Sequence, residues 1–117
     1  MENKIIIAGN DTERIRRNYC CGMIRHMLIY RFSMRELRQI ARSQGMPYKK
    51  RPNVDRHVDE FTWFEDLIYT QMTTSMRESI VKYERMKYEP VGFINITEED
   101  NSNWNAFEQL LYKVVQK

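Results

Sequence analysis

From Val54 to Tyr88 the chain runs thirty-five residues without a proline or glycine, and its apolar residues return at helical spacing. Val54, Val58, Phe61, Phe64, Ile68, Met72, Met76, Tyr83 and Met86 fall on one stripe when each position is turned by about 100°. A continuous helix over this stretch would measure about 52 Å, against roughly 35 Å for a compact domain of this length. It must therefore break near Thr73, Thr74 and Ser75, or overhang the domain and find a partner, most simply a second copy. The stripe keeps its phase across 73–75, which favours one long or gently kinked helix. The box-like run Ser75 to Glu78 argues for the break.

The same pattern reading divides the rest of the chain. Lys4 to Ala8 is a short β-branched run closed by Gly9 and Asn10, hence a strand. Asp11 or Thr12 caps a helix running to about Arg31. Between Tyr19 and Tyr30 that helix is apolar almost all round, as expected of the centre of a core, and Gly22 within it permits a close crossing. Ser33 to Glu36 forms a capping box for a helix with Met34, Leu37, Ile40, Ala41 and Gln44 on one face, stopped by Gly45. Residues 46–53 form a basic, proline-bounded loop. After Pro90, Val91 to Ile96 reads as a second strand, with Gly92 marking a bulge or close approach. It pairs most economically with Lys4–Ala8. Thr97 to Asn101 is an acidic turn. A last helix from Ser102 or Asn103 carries Trp104, Phe107, Leu110, Leu111, Val114 and Val115 on its inner face. The expected fold is a single domain over residues 1–117, mostly α with a minor two-stranded β-ribbon, in the order β-α-α-α-(α)-β-α, with one long central or overhanging helix.

Composition sets outer limits. A chain that is 30% charged and 42% hydrophobic is globular rather than disordered. No apolar run approaches the length of a membrane span, and no signal segment is recognisable, so no membrane partner is expected. Cys20 and Cys21 are neighbours on a helix, badly placed to bridge each other or chelate a metal, and read as free thiols of a reducing, cytoplasmic setting. His26 falls on the side of Ile15 and Tyr19, where a hydrogen-bonded core residue is the ordinary outcome.

Charge changes the picture more. The net +3 hides an asymmetry: residues 1–58 hold thirteen Lys or Arg against five acids, and residues 59–117 hold six against eleven. Arginine outnumbers lysine twelve to seven, and its planar fork suits phosphate or carboxylate. Either the halves attract each other within the fold, or the front half meets an anionic partner. Arg35, Arg38 and Arg42 lie within an arc of about 60°, away from the Leu37–Ala41 face. Lys49, Lys50 and Arg51 follow beside Tyr48, then Arg56. Such a row and loop make a phosphate-tracking surface.

Leu37, Ile40, Ala41, Gly45 and Met46 resemble the first helix and turn of bacterial helix-turn-helix regulators over about ten residues. That resemblance implies a reader helix from Asn53 with Arg56 and Asp59 at its tip. However, Pro47 and Pro52 fall where the recognition helix runs, and Arg51 where an apolar contact belongs. Met34 to Met46 is similar to the first helix of SAP-type nucleic-acid-binding modules, whose following lysine and leucine are missing here. Neither resemblance assigns a family.

Catalytic chemistry has little support. There is no glycine-rich phosphate loop, nucleophile elbow or zinc spacing. His57 with Asp59 and Glu60 lacks a second ligand cluster, since His26 is the only other histidine. No catalytic residue, metal or cofactor is expected. The leading expectation is a non-enzymatic, nucleic-acid-binding accessory or regulatory protein, dimeric through the long helix. The alternative is a protein-binding adaptor or inhibitor. It would act through Trp63 and Leu67, which point away from the stripe, and through Met76, Ile80 and Tyr83 on the apolar remainder of the long helix.

Overall fold

The computed structural model describes residues 4–47, 56–90 and 92–116, with side chains for 12–47, 60–90 and 92–116. Among these residues five helices follow one another: α1 (Lys4–Arg31), α2 (Met34–Ser43), α3 (Arg56–Gln71), α4 (Thr74–Arg85) and α5 (Glu98–Val115). There is no strand among the described residues, so the expected β-ribbon and the β-α-α-α-(α)-β-α order are both wrong.

The physical reasons lie at the two ends of the expected ribbon. Lys4–Ala8 is the opening of α1, which continues through Gly9 and Asn10. Isoleucine is only slightly worse in a helix than its unbranched neighbours, and one glycine costs about 1 kcal/mol. A helix already specified downstream therefore extends back over it. On the other side, Pro90 and Gly92 make a turn: the Phe93 N–H donates to the Pro90 carbonyl at 3.3 Å, and Gly92 sits at φ 92°. Two strands alone are marginal in water, and each of these had a stronger local alternative.

The long stripe also divides. α3 ends at Gln71 and α4 begins at Thr74, with Thr73 as N-cap, its hydroxyl accepting from the Met76 N–H at 3.1 Å. Thr73 caps here, rather than Ser75. Across the break Arg77 donates to the Tyr69 carbonyl at 2.7 Å and lies 3.9 Å from the centre of the Tyr69 ring. One side chain thus adds a second hydrogen bond to a carbonyl at the end of α3, which also accepts from the Met72 N–H at 3.1 Å, and stacks on its last aromatic.

α4 turns back against α1 and α5, while α2 and α3 complete the bundle from the other side. Ile24 and Leu28 (α1), Leu37 (α2), Phe64 and Ile68 (α3), Ile80 (α4), and Phe107, Leu111 and Val115 (α5) are fully buried in one core. Each such side chain contributes about 1.5–3 kcal/mol. Gly22 leaves room for the Glu84 side chain where α1 meets α4, since a β-carbon there would stand 2.9 Å from that carboxylate. α1 is nonetheless not packed on all sides: Ile15, Ile29 and Tyr30 are exposed, and so is His26, which lies beside Tyr30 rather than in the core.

α5 starts earlier than the expected Ser102 or Asn103. Thr97 and Asp100 form a capping box, Thr97 Oγ1 accepting from the Asp100 N–H at 3.2 Å and Asp100 Oδ2 from the Thr97 N–H at 2.9 Å. The acids Glu98, Glu99 and Asp100 suit the positive end of the helix dipole. Asp100 also takes hydrogen bonds from the Ser79 hydroxyl at 2.6 Å and the Lys82 ammonium at 2.8 Å, which fastens α4 to α5.

Candidate nucleic-acid interface

The basic row begins with the local chemistry of α2. Ser33 caps the helix and Glu36 returns the bond. At the other end the Met46 N–H reaches the Ala41 carbonyl and the Gly45 N–H the Arg42 carbonyl, with Gly45 at φ 85°. This is a Schellman closure, and it needs glycine at the left-handed position. Leu37 and Ala41 are buried and Ile40 half-buried, so the opposite face is free to carry charge.

Arg35 and Arg42 are exposed on that face and make no ion pair among the described residues. Arg38 differs. Its Nε lies 3.5 Å from Glu60 Oε1, and Glu60 on α3 is only 3% exposed. Arg38 therefore holds α2 to α3 over a buried carboxylate. Lys49, Lys50 and Arg51 lie outside the described residues, as does the Arg56 side chain; the Arg56 backbone opens α3.

Much of the front-half charge is spoken for internally. Arg25 pairs with Glu65 at 2.7 Å, Arg31 with Glu108 at 2.5 Å, and Arg16 with Glu78 at 3.8 Å. Arg17 pairs with Asp66 and lies over the Tyr69 ring, and Tyr69 donates to Glu13 at 2.6 Å. Burial raises the Glu65 carboxyl above its ordinary range, with Arg25 opposing, while the Tyr69 hydroxyl lowers that of Glu13. The attraction between halves weighed from the sequence is thus built into the fold, which leaves Arg35 and Arg42 as the described part of the candidate surface.

The residues considered for protein binding do not form one surface. Ile80 is fully buried, Met76 is half-buried against the core, and Tyr83 donates to Asn101 at 2.7 Å and packs on Trp104. The remainder expected to need a partner is covered within the chain by α5. Trp63 and Leu67 are half-buried and line a groove of about 430 Å³ with Ser43, Gln44, Gln71 and Val114. Sequence reasoning missed Gln44 and Gln71, because the groove exists only where the ends of α2 and α5 meet α3. It also missed the exposed Tyr30 and Tyr88, 79% and 71% accessible, hidden in segments read as uniformly apolar or central.

Among the described residues no group of His, Cys, Asp or Glu is placed to hold a metal, and no helix is long and apolar enough to cross a membrane. Comparison of the chain with protein-family models, curated proteins and solved structures gave no match.

Proposed function

We propose that this is a non-enzymatic nucleic-acid-binding accessory or regulatory protein that meets phosphates through Arg35 and Arg42 on α2 and Lys49, Lys50 and Arg51 in the loop that follows. One observation carries the reading. After the internal pairs of α1 and of Arg38 are taken out, Arg35 and Arg42 remain exposed without an acid partner among the described residues. They share one face of α2, and three consecutive cations follow in the sequence seven residues after Arg42. Arginines of this kind position a backbone and carry no base sequence of their own.

The test is anisotropy of labelled single- and double-stranded oligonucleotides across a salt series. R35Q/R42Q should weaken binding regardless of sequence and lower the salt slope by about 1 for each phosphate no longer neutralised. Adding K49Q, K50Q and R51Q should deepen the loss. Full affinity in the five-site variant, or no binding by the wild type, overturns the reading. Arg38 is left intact because its loss would disturb Glu60.

A second reading, contact with protein, is favoured by exposed apolar side chains along α1: Ile15, which shares a groove with Tyr88, and Ile29 and Tyr30 nearer the end of the helix. A second copy is the simplest occupant, now through α1 rather than through a continuous long helix. Light scattering at micromolar concentration should then give twice 14.3 kDa, reverting to the single mass in I29S/Y30S. A wild type that is monomeric throughout removes it.

A further inference from the structure

The groove beside Trp63 opens where α2 ends, at Ser43 and Gln44, directly after Arg42. Its remaining walls are Leu67 and Gln71 from α3 and Val114 from α5. At about 430 Å³ it lies within the range of small-ligand sites. Three other grooves on the described surface each carry a carboxylate, Glu108 in two and Glu84 in the third. This one carries none.

Its polar atoms are oriented. The Gln44 amide nitrogen donates to the Val114 carbonyl at 2.7 Å, the Gln71 amide nitrogen to the Leu67 carbonyl at 3.2 Å, and the Ser43 hydroxyl to the Ile40 carbonyl at 2.8 Å. Each amide keeps its second N–H, so the wall offers the two amide oxygens and the serine oxygen as acceptors beside one N–H from each glutamine. Trp63 stands edge-on to Phe64, ring centres 4.9 Å apart, and its indole N–H has no hydrogen bond among the described residues. The groove thus combines an aromatic surface, a wall of amide and hydroxyl groups and a neighbouring arginine.

We infer that this groove takes one unpaired base of a single-stranded nucleic acid, stacked on Trp63, with its amino group toward Gln44 and Gln71. The inference rests on the proposed function and adds to it: the arginines hold the strand, and the groove holds a base. Stacking a base on an aromatic side chain is tolerant of sequence, whereas the acceptors favour bases that carry an exocyclic amine. Thymine, which presents carbonyl acceptors and a methyl in its place, is disfavoured.

Three labelled strands of equal charge separate the outcomes: dC10, dT10 and an abasic ten-unit deoxyribose phosphate. The wild type should bind dC10 about tenfold more tightly than the abasic strand, as expected for one stacked base, and more tightly than dT10. W63L should reduce dC10 to the abasic affinity. Q71L, at an exposed position, should abolish the preference for dC10 over dT10 without touching the core. In W104F, where Trp63 is the only remaining indole, dC10 should quench fluorescence and the abasic strand should not. Equal affinity for all three strands, lost together in R35Q/R42Q, overturns the base site and leaves the backbone reading standing. No binding of any strand overturns both.

Discussion

Arg35, Arg38 and Arg42 share a spacing but not a role, and the difference is set by what lies beneath each. Arg38 covers the buried Glu60 carboxylate, and removing it leaves a charge with reduced compensation. R38Q should cost about 1–3 kcal/mol in urea unfolding, whereas R35Q and R42Q should each stay within about 0.5 kcal/mol. The spacing was legible in the sequence, and so was the apolar side of α2. The acid under Arg38 was not, because it arrives through the packing of α3 on α2. Asp100 gives a residue-scale prediction in pH. Its carboxyl is held well below the ordinary range, first by the Lys82 ammonium, then by the Ser79 hydroxyl and the Thr97 N–H. The unfolded chain therefore takes up this proton first as pH falls. The stability Asp100 contributes is whole above the ordinary aspartate value of about 3.9 and is lost as pH drops through and below it. Glu65 has the opposite sign: burial raises its folded value, so its contribution improves as pH falls through that raised value. Urea midpoints between about pH 5 and 2 should fall steeply in the wild type and less steeply in D100N, which starts lower.

At the scale of elements, helix starts were readable where two partners sit close in sequence. The Ser33–Glu36 box and Gly45 bounded α2 almost to the residue. The Thr97–Asp100 box at α5 is harder to read, because aspartate replaces the usual Glu or Gln at its third position, inside an acidic run that also suits a turn. The α3–α4 break shows a deeper ambiguity. Periodicity reports which residues are buried, and it is silent on whether the axis continues. Two helices that fold back on one core keep the phase when the break is as short as Met72 and Thr73. What decides the matter is local: the Thr73 cap and the Arg77 clasp on Tyr69. T73A should cost about 1 kcal/mol in urea unfolding, with helix content by circular dichroism unchanged. A gain in helix content and in hydrodynamic radius would mean instead that the stripe had joined into one rod.

For the molecule as a whole, opposite charge on the two halves of the chain is a folding instruction as much as a binding one. Arginines of α1 meet acids of α3, α4 and α5; the exposed pairs to Asp66 and Glu78 contribute at most about 1 kcal/mol each, while the carboxylate facing Arg25 is buried and that facing Arg31 half-buried. Sequence composition could not apportion the excess between internal partners and an external one, since both produce the same count. Cys20 offers a different use of this architecture. Its thiol is fully buried where α1 meets α4, donates to the Arg77 carbonyl at 3.4 Å, and is pushed up by burial to about 12. Its neighbour Cys21, half-buried, is pushed up to about 11. Alkylation requires the thiolate, so Cys20 reacts only in molecules whose helices have parted. Its labelling rate is therefore a stopwatch for the separation of α1 from α4. Cys21 times shallower breathing of the same helix in the same tube, and mass spectrometry of the singly labelled peptides would read both.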